Sequence, residues 1–315
     1  MSAKDWKLSH LGNLNTVPEP LEKDFCIYNS RRLLELKYSE IEAFTFELKN
    51  SKLYGKIHFV KENRKLISLP KLPFGSFEWN RDISESNISE CIRILIREVS
   101  KWEIDEVIVN HKVPIYSPEA EKVESSLISN GFEVIGDSIN HHLQINREPL
   151  SDNIHKSEKR RLRIADKSDL IFREEPGSKL EEVYRFVLKC RKNRNHNVSI
   201  SLEELKTYFQ IYPEFYKIFS VSNGEEPYAV CIGVMVKKDV FYYFLPASNP
   251  EYNSLSPMVY LLISLYKTGQ EQGWDYIDLG TSMLGEKTNE GLASFKKRMC
   301  GIETRKKTFQ LKLDE

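Results

Sequence analysis

The sequence predicts an α/β (α+β) fold of two tandem domains, each a mixed, mostly antiparallel sheet flanked by helices. Three observations predict it. The chain has 315 residues, enough for two ordinary domains. The same succession of strands, loop, helix, strand, helix and strand occurs twice. The two successions keep one offset: Gly131-Phe132-Glu133 and Gly301-Ile302-Glu303 lie 170 residues apart, as do Asp105–Asn110 and Asp275–Gly280.

In the first half, Phe25–Tyr28, Ile41–Leu48, Tyr54–Val60 and Arg64–Leu69 read as strands. A loop with two prolines and a glycine, Leu69 to Ser76, follows. Ile88–Trp102 is an amphipathic helix with Ile88, Cys91, Ile92, Leu95, Ile96 and Val99 on one face. Then come the strand Asp105–Asn110, the helix Pro118–Asn130 and the strands Phe132–Ile135 and His142–Ile145. Glu148-Pro149-Leu150-Ser151-Asp152 marks the expected boundary, giving domains 1–150 and 151–315.

In the second half, strands are expected at Tyr216–Ser222, Ala229–Val236 and Val240–Leu245. The loop Pro246–Pro250 leads into the helix Ser256–Gln272, with Ser256 as N-cap and Pro257 in the first turn. This helix is apolar almost all round, which argues for a central position. The strand Trp274–Leu279, the helix Leu292–Cys300 and the strand Ile302–Leu311 complete the repeat. Glycine suits the left-handed position that ends a helix, so Gly131 and Gly301 are expected to stop the last helix of each half.

Composition narrows the function classes. Hydrophobic residues make up 40% and charged residues 29%, with 46 basic against 46 acidic side chains. Zero net charge does not point to nucleic acid or an anionic membrane, so any basic site is local. The five cysteines show no metal-binding spacing, and scattered thiols fit a reducing cytoplasm. No run of about 18 apolar residues suggests a membrane span, and Met1–Leu14 is polar. A cytoplasmic protein without a metal is expected.

Five segments carry groups with chemical potential. The basic helix Asn153–Ser168 puts Lys156, Arg160, Arg163 and Lys167 on one face, where they hold phosphates or simply meet solvent. The loop Asn249–Met258 runs from a strand to a helix N-terminus, an arrangement that offers backbone N–H groups to an anion or forms an ordinary cap. In the helix before Gly301, Leu292, Phe295 and Met299 define the apolar face; Lys296 lies about 70° from its centre and Lys297 about 170°. Lys296 is therefore expected at the buried edge, as an oxyanion-stabilising cation or a lysine snorkelling along the flank. Asp278, at the end of a strand, is a base or a turn cap. Cys190–His196 ends a helix; its basic residues, Arg191 among them, suit that end for dipole reasons, and His196 lacks an evident partner. His141 and His142 face opposite sides of a strand and make a poor metal pair. No nucleophilic triad or phosphate-binding glycine loop is present.

The run Tyr242 to Asn249, then a helix, then Gly273 to Gly280, then Gly291-Leu292-Ala293-Ser294-Phe295-Lys296-Lys297 resembles the Fem-type (FemAB/FemX-like) non-ribosomal peptidyltransferases and the GNAT-like (Gcn5-related) acetyltransferases around them. The resemblance covers Asn153–Leu313, and the first half by architecture alone. It implies two GNAT-like (acyl-CoA N-acyltransferase) domains and transfer of an acyl or aminoacyl group to a small-molecule or peptide-like amine, such as a cell-wall precursor. The donor is acyl-CoA or aminoacyl-tRNA, although net charge does not indicate tRNA. Phe295-Lys296 matches the family's Phe-Lys pair, which makes Lys296 and Asp278 the catalytic candidates. The substrate-binding candidates are Phe295, Tyr243, Ser248, Asn249, Arg191, Lys156, Arg160 and Arg163. Two features depart from the pattern. No 40-residue heptad segment supplies the long helical arms of some members, and the Pro73-Phe74-Gly75-Ser76 loop is closer to the uncharacterised GNAT-like branch. The alternatives are an acyl-CoA-dependent N-acetyltransferase and a non-catalytic binding protein of the same fold. The first half has Ile128-Ser129 where the second has its Phe-Lys pair, so the first is expected to shape or bind and the second to react.

Overall fold

A computed structural model of the chain describes residues 6–11, 26–38, 41–50, 53–192, 198–285 and 287–313. The first half runs β1 (Lys7–Leu11), α1 (Arg31–Tyr38), β2 (Ala43–Lys49), β3 (Tyr54–Glu62), β4 (Lys65–Ile67), β5 (Glu78–Trp79), α2 (Glu85–Val99), β6 (Glu106–Asn110), α3 (Ala120–Ser129) and β7 (Glu133–Gln144). The second runs α4 (Leu150–Asn153), α5 (Lys156–Ala165), β8 (Ile171–Glu175), α6 (Leu180–Lys192), α7 (Leu202–Ile211), β9 (Tyr216–Ser222), β10 (Pro227–Lys237), β11 (Val240–Ser248), α8 (Pro257–Gln272), β12 (Tyr276–Thr281), the short pair β13 (Met283–Leu284) and β14 (Lys287–Thr288), α9 (Glu290–Arg298) and β15 (Ile302–Lys312).

The chain forms two compact units, one of residues 1–138 with 304–315, the other of 139–303. This differs from a simple cut at 150, because each half hands over its closing strand. β15 pairs antiparallel with β6 in the first unit, and Asn140–Gln144 of β7 pairs antiparallel with β12 in the second. The first unit orders its strands β1-β2-β3-β4-β6-β15, with β5 on β3. The second orders them β7-β12-β11-β10-β9-β8. The repeat shows in the pairing itself. β4 and β6 pair in parallel over Lys65–Ile67, and β11 and β12 pair in parallel over Val240–Tyr242.

Local sequence explains the elements. Ser84 accepts the Asn87 N–H (3.3 Å) and starts α2, whose Ile88, Cys91, Ile92, Leu95 and Val99 are buried. They pack in the first unit's core with Phe46, Ile57, Phe59 and Trp79. In the second unit, Phe241 of β11 stacks on Trp274 (centroids 4.7 Å apart) and edges onto Phe219 (5.7 Å). α8 buries Val259, Leu261, Leu262, Leu265 and Tyr266 in that same core. β10 bulges at Gly233 for a steric reason: a Cβ there would lie 1.9 Å from the Phe241 ring.

Several sequence expectations are corrected. Phe25 lies outside the described residues, and Ile27–Asn29 form a 3-10 turn rather than a strand, closed by the Ser30 N–H on the Ile27 carbonyl. The separate strands at Phe132–Ile135 and His142–Ile145 are the single strand β7, since Gly136 continues the extended chain and lies against Thr308. β11 runs on through Pro246 to Ser248 instead of ending in a loop at Leu245. Ser256 does not cap α8 with its side chain. It adopts the left-handed conformation (φ +58°), which turns the chain from the 3-10 segment Pro250–Leu255 into the helix. After α9 the left-handed residue is Cys300 (φ +65°), not Gly301. Gly301 is needed there because a Cβ would lie 2.7 Å from the Lys296 carbonyl oxygen. Gly131 does take the left-handed conformation (φ +88°). β1, β8, α1 and α7 lacked a clear period and were not anticipated.

The Gly233 bulge gives a stability prediction. Gly233→Ala costs about 1–3 kcal/mol by overpacking against Phe241. Combined with Phe241→Leu, the two changes cost less than their separate effects together. Urea denaturation of the single and double variants measures this; strict additivity would contradict it.

Candidate active site

The second unit's site begins where two strands part. Pairing of β11 with β12 is confined to Val240–Tyr242 against Tyr276–Asp278, yet β11 continues to Ser248 and β12 to Thr281. A cavity of about 510 Å³ opens beside the end of β11, which pairs there with β10 but no longer with β12. Pro246, Ala247 and Ser248 form one wall, the start of α8 (Ser256–Val259) an end, and Asn289, Gly291, Leu292 and Phe295 at α9 another wall. Cys190 and Arg191 at the end of α6, Asn253 and Arg161 complete the lining.

Both arginines are anchored. Arg191 donates to the Pro246 carbonyl (3.2 Å), tying α6 to β11. Arg161 pairs with Glu158 (3.2 Å), whose carboxylate also accepts Arg298 Nε (2.6 Å). Glu158 is fully buried. Burial pushes its carboxyl up, but the Arg298 hydrogen bond and the charges of Arg161 and Arg298 outweigh that and hold it below the usual range. The cavity thus combines apolar walls with two fixed cations, a lining suited to an acyl chain or an anionic carrier group.

Neither Lys296 nor Asp278 lines the cavity; both are buried at the end of β12. Lys296 is 5% exposed, whereas Lys297 reaches out to Glu303 (2.7 Å), as their helical phase on α9 requires. Lys296 Nζ donates to the carbonyls of Gly280 (2.8 Å) and Thr281 (2.9 Å). Burial lowers its pKa to about 8, against the opposing attraction of Asp278. Asp278, also buried, accepts Asn140 Nδ2 (2.9 Å) and the Gly280 N–H (2.8 Å) on one oxygen, Oδ1. The backbone there is a bulge: the register with β7 slips between Asp278 and Gly280, and Gly280 has φ +71°. Burial raises the Tyr242 hydroxyl pKa, so that ring stays neutral beside Asp278.

The other candidates separate. Phe295, Ser248 and Arg191 line the cavity. Tyr243 is buried in the hydrophobic core, and burial pushes its hydroxyl pKa up. The side chain of Asn249 accepts the Glu251 N–H and caps the 3-10 turn. Lys156, Arg160 and Arg163 are exposed and lie outside the cavity lining. From their helix it is Arg161, on another face, that reaches the cavity; the search for one basic stripe passed over it. Asn140 gave no sequence signal, because its partner Asp278 lies 138 residues away. His196 lies outside the described residues, and no metal-binding cluster occurs among the described residues. A second cavity of about 490 Å³, near the start of α6, is lined by carboxylates and lysines already paired with one another, such as Lys217 with Glu174 (2.8 Å). None of the candidate residues reaches it.

The second unit is thus an α/β unit in which two parallel strands part, one helix starts beside the gap and α9 lines its wall. Residues 156–297 match the family model described as an acetyltransferase (GNAT) domain. No curated protein matches the chain in sequence. The chain resembles the crystal structure of FemX over 98% of its own length and 97% of that chain, with a TM-score of 0.64 at 12% identity. A conserved protein of unknown function from Bacteroides thetaiotaomicron is similar over 98% and 100%, with a TM-score of 0.58 at 11% identity. L-PGS from Bacillus licheniformis is similar over 83% and 82%, with a TM-score of 0.54 at 14% identity. Residues 156–297 thus match the acetyltransferase (GNAT) domain model, and the chain shares the fold of FemX.

Lys296 is expected to change from ammonium to neutral amine near pH 8, carrying its charge below that pH. Competitive acetylation of lysines across pH, read by mass spectrometry, measures the midpoint. A midpoint near 10.5, the ordinary lysine value, would contradict the burial argument.

Proposed function

We propose that the chain is an acyl- or aminoacyltransferase that joins an activated acyl group to an amine acceptor in the second unit's cavity. The observation that carries this reading is the cavity itself, which lies within the matched acetyltransferase domain and has Phe295 in its wall. In such a transfer a neutral amine attacks a carbonyl and an oxyanion develops. A preorganised cation at that point lowers the barrier. Lysine has three N–H donors, and Lys296 directs two of them at Gly280 and Thr281. The third is assigned to the oxyanion. Neither Lys296 nor Asp278 belongs to the cavity lining, so the lysine reaches the oxyanion from the neighbouring end of β12, and Asp278 Oδ1 is already held by two donors. The role assigned to Asp278 is to favour the charged form of Lys296. The oxyanion then collapses, the carbonyl's bond to the donor's sulfur or ribose oxygen breaks as the new C–N bond remains, and the proton lost by the amine goes to that leaving group, directly or through a substrate group or water. Holding donor and acceptor together in the cavity supplies much of the rate.

The donor is an acyl thioester of coenzyme A or an aminoacyl-tRNA. GNAT folds generally use acyl-CoA, which favours the first. Here the start of α8 lacks a glycine-rich loop, and Pro257 supplies no N–H, so fewer backbone donors face a pyrophosphate than in a glycine-rich site. Arg161 and Arg191 are assigned to the donor's anionic part. The acceptor is a small-molecule or peptide-like amine. No helix among the described residues is long and apolar enough to cross a membrane.

Acetyl-CoA and aminoacyl-tRNA are tested side by side by thermal shift. The true donor stabilises the native state by about 2.7 kcal/mol at a hundred times its dissociation constant. With that donor, Lys296→Ala is expected to lose about 10²–10³ in transfer rate while keeping donor affinity. Full activity in Lys296→Ala removes the lysine from the mechanism. Binding without transfer to any amine would favour a non-catalytic binding protein.

A further inference from the structure

We propose that Asn140 is a positioning residue for Lys296, acting through Asp278 and the Gly280 bulge. The inference rests on Lys296 being the charge that the transfer uses.

Asn140 lies on β7, the strand that the first half of the chain lends to the second unit, opposite Thr281 in the register. It is 2% exposed. Its Nδ2 donates to Asp278 Oδ1 (2.9 Å), and the same oxygen accepts the Gly280 N–H (2.8 Å). One carboxylate oxygen therefore ties a neighbouring strand to the bulge. The register fixes what this accomplishes. Asp278 faces His142 and Gly280 faces His141, so Leu279 is the extra residue. Gly280 takes the left-handed conformation, with its N–H on Asp278 and its carbonyl on Lys296 Nζ (2.8 Å). Thr281, opposite Asn140, gives the second carbonyl (2.9 Å). The amide of Asn140 thus holds from β7 the same carboxylate oxygen that keeps this turn.

The groups around the ammonium make the linkage selective. Asp278 from β12 is the attracting charge. His141 from β7 is neutral at pH 7, since burial, with Lys296 nearby, brings its pKa down to about 4. His142 from the same strand is lowered by burial against the pull of Asp278. Tyr242 from β11 is kept neutral by burial. The Asp278 carboxylate is thus the charge that acts on Lys296, and Asn140 is a side chain outside β12 that holds it.

The test uses the full chain and needs no substrate. The midpoint of Lys296 acetylation is measured in wild type, Asn140→Leu, Asn140→Ala and Asp278→Asn, and in Asn140→Ala combined with Asp278→Asn. Asn140→Leu keeps the volume but removes the donor. The expected result is a midpoint displaced by about one unit in both Asn140 variants, a tenfold change in the neutral fraction. In the Asp278→Asn background, Asn140→Ala is expected to add nothing, because the two act in series. An unchanged midpoint in a folded Asn140 variant overturns the proposal, as does an equal shift in the Asp278→Asn background. Should Leu and Ala variants fail to fold, Asn140→Ser, with a shorter donor, replaces them under the same criteria. Failure of the functional reading shows separately, as full transfer by Lys296→Ala with these shifts intact.

Discussion

Three residues of parallel pairing between β11 and β12 decide what the second unit can do. Parallel strands that stay paired leave no room between them. These pair over Val240–Tyr242 and then part, leaving the edge of β11 from Pro246 to Ser248 open to a cavity. The first unit starts from the same three-residue pairing of β4 with β6 and ends differently. There the chain turns back on itself. The Ser68 N–H bonds to the Ile108 carbonyl and the Gly75 N–H to the Asn110 carbonyl, while Lys112 Nζ donates to the Phe77 carbonyl. Hydrogen bonds of the unit's own chain thus bridge the place where the second unit opens. The asymmetry proposed between a reacting and a non-reacting half rests on this loop more directly than on the missing Phe-Lys pair.

The second constraint is electrostatic. A buried ammonium is costly unless its hydrogen bonds are satisfied. Two backbone carbonyls accept from Lys296 and the charge of Asp278 favours its ammonium form, and together they only partly offset its desolvation. The carbonyls are in place because β12 bulges at a glycine and α9 ends tightly against Gly301. A replacement at either glycine would disturb the lysine without touching it.

Much of this was legible in the sequence. The repeat of elements at one offset gave the duplicated fold, and the phase of α9 separated the buried Lys296 from the exposed Lys297. The substitution of a family match for geometry worked less evenly. Phe295, Ser248 and Arg191 line the cavity, but Tyr243, Asn249 and the exposed face of α5 do not, because strand alternation and a cap decide those side chains. What stayed hidden was long-range. The exchange of closing strands depends on pairing between distant segments, and Asn140 gains a role only once β7 lies against β12. Ser256 looked like an N-cap because its residue type and position fit one; the tight turn after the 3-10 segment claimed it instead.

The parted strands of the second unit are the proposed donor site, and backbone hydrogen exchange with and without the donor tests that placement. Protection is expected at residues 246–259 and 289–296, with the loop 68–77 of the first unit unchanged. Protection centred on the first unit, or transfer activity with no protection along β11 and the start of α8, would contradict it.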